Sequence, residues 1–364
     1  MKSTRLVIKV GSALIAPDEN GCSTKFMKPI AAFINTLRAN GTEVILVSSG
    51  AVAAAKGMFN SPTFNQIERR KAQAAAGQTN MISMWSEMLA MPCAQMLMTH
   101  QDLSNIGRFQ SIRKTLDELL TEGILPIVNE NDSVSTKQSR VGDNDNLSAM
   151  IATAANADTL ILCSDIDGLY TAPPASSPDA RKLSIVKSIT DDIRAMAGDV
   201  NSSMGTGGMI TKIQAVEKAA SSGVTTYLIN GFDEDAFTQL LNGNNPGTLF
   251  EPSVKPLSDP EHYWRHTAPT AGTIVVDSGK STVDKGALEV EPLLDENRIK
   301  TIQGDFNVGD TIEVHTSAGL KIAKGVSNYS SCTLKLLQRI DLDAIITPLS
   351  AEQLINPAEG ALFQ

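Results

Sequence analysis

Aromatic residues make up only 4 % of this 364-residue chain. A core short of large rings is built from aliphatic side chains and alanine, which favours α/β layers over an aromatic-rich sandwich. There are four cysteines, Cys22, Cys93, Cys163 and Cys332, and none forms a CxxC pair. That excludes a small disulfide scaffold and argues against zinc and dithiol redox sites; scattered thiols suit a reducing cytosol. No apolar run approaches the roughly 18 residues of a membrane span, and the opening MKSTRLVIKVGSALIAP has too short an apolar stretch for a secretory signal. Positive charge is scarce as well: 31 Lys+Arg against 40 Asp+Glu give a net charge of −9. Such a chain repels a phosphate backbone at long range, so bulk nucleic-acid binding is disfavoured, while a local basic site for a small phosphate remains compatible.

What is present is ordinary globular composition, 42 % apolar and 20 % charged, in a length that suits two domains. From the start to about residue 230, short β-branched runs alternate with helical spacing. Strands are expected at 6–10, 43–47, 94–98, 124–128, 159–163 and 225–229. Helices are expected at 28–39, 64–89 (where Gly77 offers a break), 108–122, 144–156 and 211–221, with a short alanine-rich one after Gly50. This alternation argues for an open, mainly parallel sheet with helices on both faces. Polar residues and glycines gather just after the strand ends, where such sheets bind ligands; Lys9, Ser49, Asp132 and Asp165 are expected to face one crevice. At 242–260 the Asn-, Gly- and Pro-rich NGNNPGTLFEPSVKPLSDP reads as a connector. Beyond it, short strands at 272–276, 311–314 and 322–326 suggest a small, mostly β domain.

The residues that carry chemistry lie in four places. GTGGMITK (205–212) brings glycines, a helix start and Lys212 together, which suits a phosphate held by backbone N–H groups. It is neither a Walker A loop nor GxGxxG, and the residues alone leave open a surface loop that caps a helix. Lys9 lies inside the apolar run LVIKV, where an ammonium is costly unless it meets an anion or emerges at the strand end. Ser48 and Ser49 precede Gly50-Ala51 at a strand-to-helix junction, fit for a carboxylate or phosphate, or for a plain N-cap. NEND (129–132) and VGDNDN (141–146) concentrate acids and amides, fit for a substrate ammonium or for orienting lysines, or for a solvated loop of Asx turns. The EF-hand pattern fails there. The histidines are scattered, and no Ser-His-Asp arrangement can be argued.

In their order and spacing, KVGSALI, VSSGAVAAAKG, VNENDSV, VGDNDNLSA, SDIDGLYTAPP and GTGGMITK resemble the glutamate 5-kinases of the amino-acid kinase superfamily, over residues 5–250. GTIVVDSG, IKTIQGDFNVGDTIEV and AKGVSNYSS resemble the PUA domain appended to many bacterial members. The resemblance implies an amino-acid kinase domain at 1–255, a linker at 256–269 and a PUA domain at 270–364. It implies ATP, with Mg²⁺, as phosphoryl donor to the side-chain carboxylate of L-glutamate, on the way to proline. It further implies a homo-oligomer, dimer or tetramer, and proline as a feedback inhibitor. Among residues, Lys9 and Lys212 would stabilise the transferring phosphoryl group and Asp145 would orient both lysines. Ser49, Gly50 and Ala51 would hold the reacting carboxylate, with Asp132 and Asn144 completing the glutamate site. The nucleotide would lie on Lys9, Ser164, Asp165, Thr206, Gly207, Gly208, Met209, Ile210, Thr211 and Lys212. No side-chain metal ligand is implied. Ser48 and Ser164 stand where relatives often carry threonine, which keeps the hydroxyl. The segment from 270 onward has 8 basic and 13 acidic residues, so a structural or regulatory role is expected there and not RNA binding. The nearest alternative is a kinase for another carboxylate or carbamate, such as acetylglutamate or aspartate; VNEND and VGDNDN argue against it by placing acids where a free α-ammonium would lie, which an acetylated amine would not need.

Overall fold

The computed structural model describes residues 3–18, 21–61, 65–135, 143–172, 174, 177–198, 208–252, 268–276, 299–337 and 361–362. β1 (Arg5–Val10) leads through α1 (Ser12–Ile15) into α2 (Thr24–Ala39), β2 (Glu43–Ser48), α3 (Ala51–Ala54) and α4 (Gln66–Met88). Then come β3 (Cys93–Met98), α5 (His100–Ser104), α6 (Ile106–Thr121), β4 (Leu125–Glu130), α7 (Asn144–Ala154) and β5 (Thr159–Ser164). β6 (Ile185–Val186), α8 (Asp191–Met196), α9 (Met209–Ser221), β7 (Thr225–Asn230), α10 (Glu234–Leu241) and β8 (Thr248–Phe250) follow. The remainder holds β9 (Gly272–Val276), β10 (Ile299–Gly304), β11 (Thr311–Thr316), β12 (Lys321–Val326), α11 (Ser331–Leu337) and β13 (Ala361–Leu362). These elements pack as two compact units, Met1–Thr99 with Arg113–Pro260, and His100–Ile112 with Glu261–Gln364.

The first unit is built on an eight-stranded sheet of order β3-β4-β2-β1-β5-β7-β8-β6. β1 to β5 and β7 run parallel, and β8 turns antiparallel against β7. β1, β2 and β5 are near-continuous apolar runs because both of their faces are covered. α2 covers one face with Met27, Ile30, Phe33, Ile34 and Leu37, the spacing of one helical stripe. α7 is buried almost all round, which its run of small and aliphatic residues permits.

Two local expectations change. Gly77 does not break α4, which runs through it without interruption. A Cβ there would lie 1.9 Å from the Ala51 carbonyl oxygen, so the glycine is what lets α4 close on α3. The connector at 242–260 also contains β8, whose Thr248 hydroxyl accepts from Leu169 N–H at 2.8 Å and donates to the Leu183 carbonyl at 2.6 Å. Turn-forming neighbours hide so short a strand.

The second unit carries a five-stranded sheet, β10-β9-β11-β12-β13, over a core of Ile274, Val276, Ile302, Phe306, Ile312, Val314 and Leu334. Segment His100–Ile112 belongs to it through direct bonds: Ile106 N–H to the Gly309 carbonyl at 2.9 Å, Asn105 Nδ2 to Asp310 Oδ1 at 2.8 Å, and Thr311 Oγ1 to the Ser104 carbonyl at 3.0 Å. The sequence reading leaves this segment within the first domain. The linker expected at 256–269 lies almost wholly outside the described residues.

Candidate active site

In the central sheet Val10 is in register with Ser48 on one side and Cys163 on the other. The turns after β1, β2 and β5 therefore leave the sheet at one level. Together with the turn after β4 and the start of α7 they enclose a cleft of about 620 Å³ in the first unit. Lys9, Ser49, Gly50, Ala51, Asp132, Asn144, Asp145, Ser164, Asp165 and Lys212 all line it.

Asp143 caps α7, its Oδ1 accepting from Asn146 N–H at 2.8 Å. That cap starts the helix where Asp145, in its first turn, points inward and is only 1 % exposed. Lys9 Nζ lies 2.6 Å from Asp145 Oδ1 and Lys212 Nζ lies 3.1 Å from Oδ2. Thr211 Oγ1, one residue earlier on α9, reaches Oδ2 at 3.4 Å. Burial by itself would raise the Asp145 pKa, but the ammonium of Lys9, then that of Lys212, outweighs it and holds the carboxyl below the usual range. Asp143 moves the other way: burial pushes it up and the Asp145 charge adds to this, against the lowering from its Asn146 cap bond and from Lys9. Two ammonium groups on one carboxylate leave the trio with a net positive charge, in a place where charge is poorly screened.

Ser49 does not act as the N-cap that its position allows. Gly50 holds that place at φ +103°, and a Cβ there would come within 2.9 Å of the Ile15 side chain. The Ser49 hydroxyl instead accepts from Asn144 Nδ2 at 2.7 Å. Ser164 Oγ donates to Asp165 Oδ1 at 3.0 Å at the end of β5. Gly208 stands at the N-cap of α9 with no side chain to cap it, so the first N–H groups of the helix, Met209 and Ile210 among them, have no intrahelical acceptor. Thr211 Oγ1 donates to the Gly208 carbonyl at 2.8 Å. Thr206 and Gly207 lie outside the described residues.

A model of the amino acid kinase family matches residues 4–230. The chain belongs to this family. Among curated members, glutamate 5-kinase 1 of Pseudoalteromonas translucida is 51 % identical, over 92 % of this chain and 90 % of its own. Glutamate 5-kinases of Idiomarina loihiensis and Salinibacter ruber are 49 % and 44 % identical, over 90 % and 92 % of this chain and 88 % and 90 % of theirs.

In and around the amino acid kinase cleft lie side chains that sequence reasoning did not single out. Glu130 lines it from the end of β4, within the NEND run whose acids were noted but of which only Asp132 was singled out. Asn129 and Gln78 stand behind Asn144, and nothing in the sequence distinguishes a buried amide in α4 from an exposed one. Lys218 Nζ donates to Asn146 Oδ1 at 2.5 Å, and burial lowers its pKa against the raising effect of Asp143 and Glu217. Among the described residues no group of three or more His, Cys, Asp or Glu is placed to hold a metal ion. No helix among them is long and apolar enough to cross a membrane.

Proposed function

We infer that this protein transfers the γ-phosphoryl group of ATP to the side-chain carboxylate of L-glutamate, giving ADP and L-glutamyl 5-phosphate. The observation that carries the reading is Asp145 holding Lys9 and Lys212 at the ends of its two oxygens, 2.6 and 3.1 Å away, on the wall of the cleft. A carboxylate is already ionised at neutral pH, so its attack on phosphorus needs no strong base. What opposes it is repulsion between two anions and the need for alignment. Lys9 and Lys212 meet that need with fixed positive charge toward the transferring group, and Asp145 keeps them from moving as charge shifts. The start of α9, from Gly208 through Thr211, offers N–H donors to nucleotide phosphates; of α9 only Lys212 lines the cleft itself, together with Ser164 and Asp165.

On the substrate side, the Ser49 hydroxyl and the N–H groups of Gly50 and Ala51 hold the reacting carboxylate. Asp132 and Asn144 complete the glutamate site, with Asp132 the partner of the α-ammonium. Mg²⁺ would supply charge neutralisation on the phosphates when bound with the nucleotide. The same reading extends to proline as feedback inhibitor, to a homo-oligomer and to a reducing cytosol, the last in keeping with four free thiols.

A hydroxamate-trapping assay with ATP, Mg²⁺ and a panel of carboxylic acids tests the reading. L-Glutamate is expected to give acyl phosphate and N-acetyl-L-glutamate to fail, because Asp132 and its acidic neighbours would lose their ammonium partner. Discrimination of about 10⁴-fold is attainable when buried polar groups are left unpaired. Equal turnover of the two acids would contradict the assignment. Proline added to the same assay, and sedimentation of the full chain, check the two accompanying proposals.

A further inference from the structure

Behind the cleft a run of side-chain amides continues into the protein. Asn144 Nδ2 donates to Ser49 Oγ and, at 2.8 Å, to Asn129 Oδ1. Asn129 Nδ2 donates in turn to Gln78 Oε1 at 2.9 Å, and Gln78 Nε2 to Gln95 Oε1 at 3.1 Å. Asn129 is 1 % exposed and Gln78 6 %. Each amide has an oxygen end and a nitrogen end, so a chain of amides has a direction, and one donor that cannot reverse settles it. Here that donor is the main-chain N–H of Glu130, 2.8 Å from Asn129 Oδ1. It draws the Asn129 oxygen toward Glu130 and Asn144 and leaves the Asn129 nitrogen in need of an acceptor, which Gln78 provides. Asn144 must then present its nitrogen to Asn129 and Ser49. Ser49 feels the same direction. Its oxygen accepts from Asn144, so its own proton is left to donate.

We propose that Gln78 is a positioning residue for substrate recognition: through Asn129 it holds the Asn144 amide with its nitrogen on Ser49 Oγ, and so turns the Ser49 proton toward the substrate carboxylate. The proposal rests on the glutamate reading of the cleft. Gln78 itself comes from α4 and acts only through its neighbours. A side chain of equal size without the acceptor leaves the Asn129 NH₂ buried and unpaired, which loosens the chain at its root.

Steady-state kinetics of the full-length protein test this, each variant being assayed below its own unfolding midpoint. Gln78→Met is expected to raise KM for L-glutamate roughly 10-fold while leaving KM for ATP near the wild-type value. Gln78→Glu keeps an oxygen acceptor for Asn129 and is expected to restore most of the glutamate affinity, even if it melts lower for burying a charge. A purely structural role would lower the melting temperature of both variants and move both KM values together or neither. Should Gln78→Met give no soluble protein, Gln78→Asn takes its place, since it stays polar but ends one methylene short of Asn129. An unchanged glutamate KM in the folded variant, or a Gln78→Glu as impaired as Gln78→Met, would overturn the proposal alone. A wild type that fails to phosphorylate glutamate would overturn it together with the reading beneath it.

Discussion

Asp145 is the residue on which the most charge depends. Asp145→Asn would leave two buried ammonium groups facing an amide, and removing one partner of a buried ion pair costs on the order of 3–5 kcal/mol. Calorimetry is expected to show that loss, and kinetics a strong fall in kcat. The pH dependence follows from the depressed pKa. A carboxyl held lower in the folded than in the unfolded chain stabilises fully above the unfolded value, 3.8, and loses that contribution as pH falls through its folded value. The stability gap between wild type and Asp145→Asn should therefore be flat from neutral pH to about pH 4 and narrow only below it. Thiol labelling checks the burial pattern independently. Burial raises Cys163 to about 12, Cys22 to about 11, and Cys93 in the same direction, whereas Cys332 is exposed. At mildly alkaline pH, mass spectrometry should find Cys332 modified first and Cys163 last. At this scale Lys9 was legible because an ammonium inside an apolar strand demands a reason. Gln78 was not, because an amide in a helix demands none until its burial is known.

Elements position these residues by close approach. α3 is a single turn, and its place is set by Gly77 of α4 on one side and the left-handed Gly50 on the other. Gly77→Ala would improve helix propensity by about 1 kcal/mol yet drive a methyl group into the Ala51 carbonyl, an overpacking that typically costs 1–3 kcal/mol. A lower melting temperature is expected, with a raised KM for glutamate because Ser49, Gly50 and Ala51 shift together; denaturation and kinetics on the one variant read both. The alternation of strand and helix was legible because parallel strands covered on both faces are unbroken apolar runs. β8 and the continuity of α4 were not. A three-residue strand among turn formers has no period to detect, and a glycine required by a neighbouring helix looks like one that ends its own.

Across the whole molecule, the proposed catalytic and substrate residues all lie in the first unit, so a 1–260 fragment should keep kinase activity. It should also melt lower than the full chain, because Ser104, Asn105 and Ile106 lose partners in β11 and the turn before it, each bond worth about 1 kcal/mol net. Scanning calorimetry and the hydroxamate assay on that fragment check both points. Contacts of this kind, between residues about two hundred apart, leave no mark in local sequence pattern. The two proposed catalytic lysines are themselves such a case. Lys9 comes from the first strand and Lys212 from α9, and only the finished fold brings both to Asp145. The most direct test is kcat at saturating glutamate and ATP for Lys9→Ala and Lys212→Ala, with circular dichroism to confirm folding. Each should lose on the order of 10²–10³ in kcat, the cost of removing one fixed donor from a developing oxyanion. A folded variant with near-normal kcat would contradict the assignment of transition-state stabilisation to these two lysines.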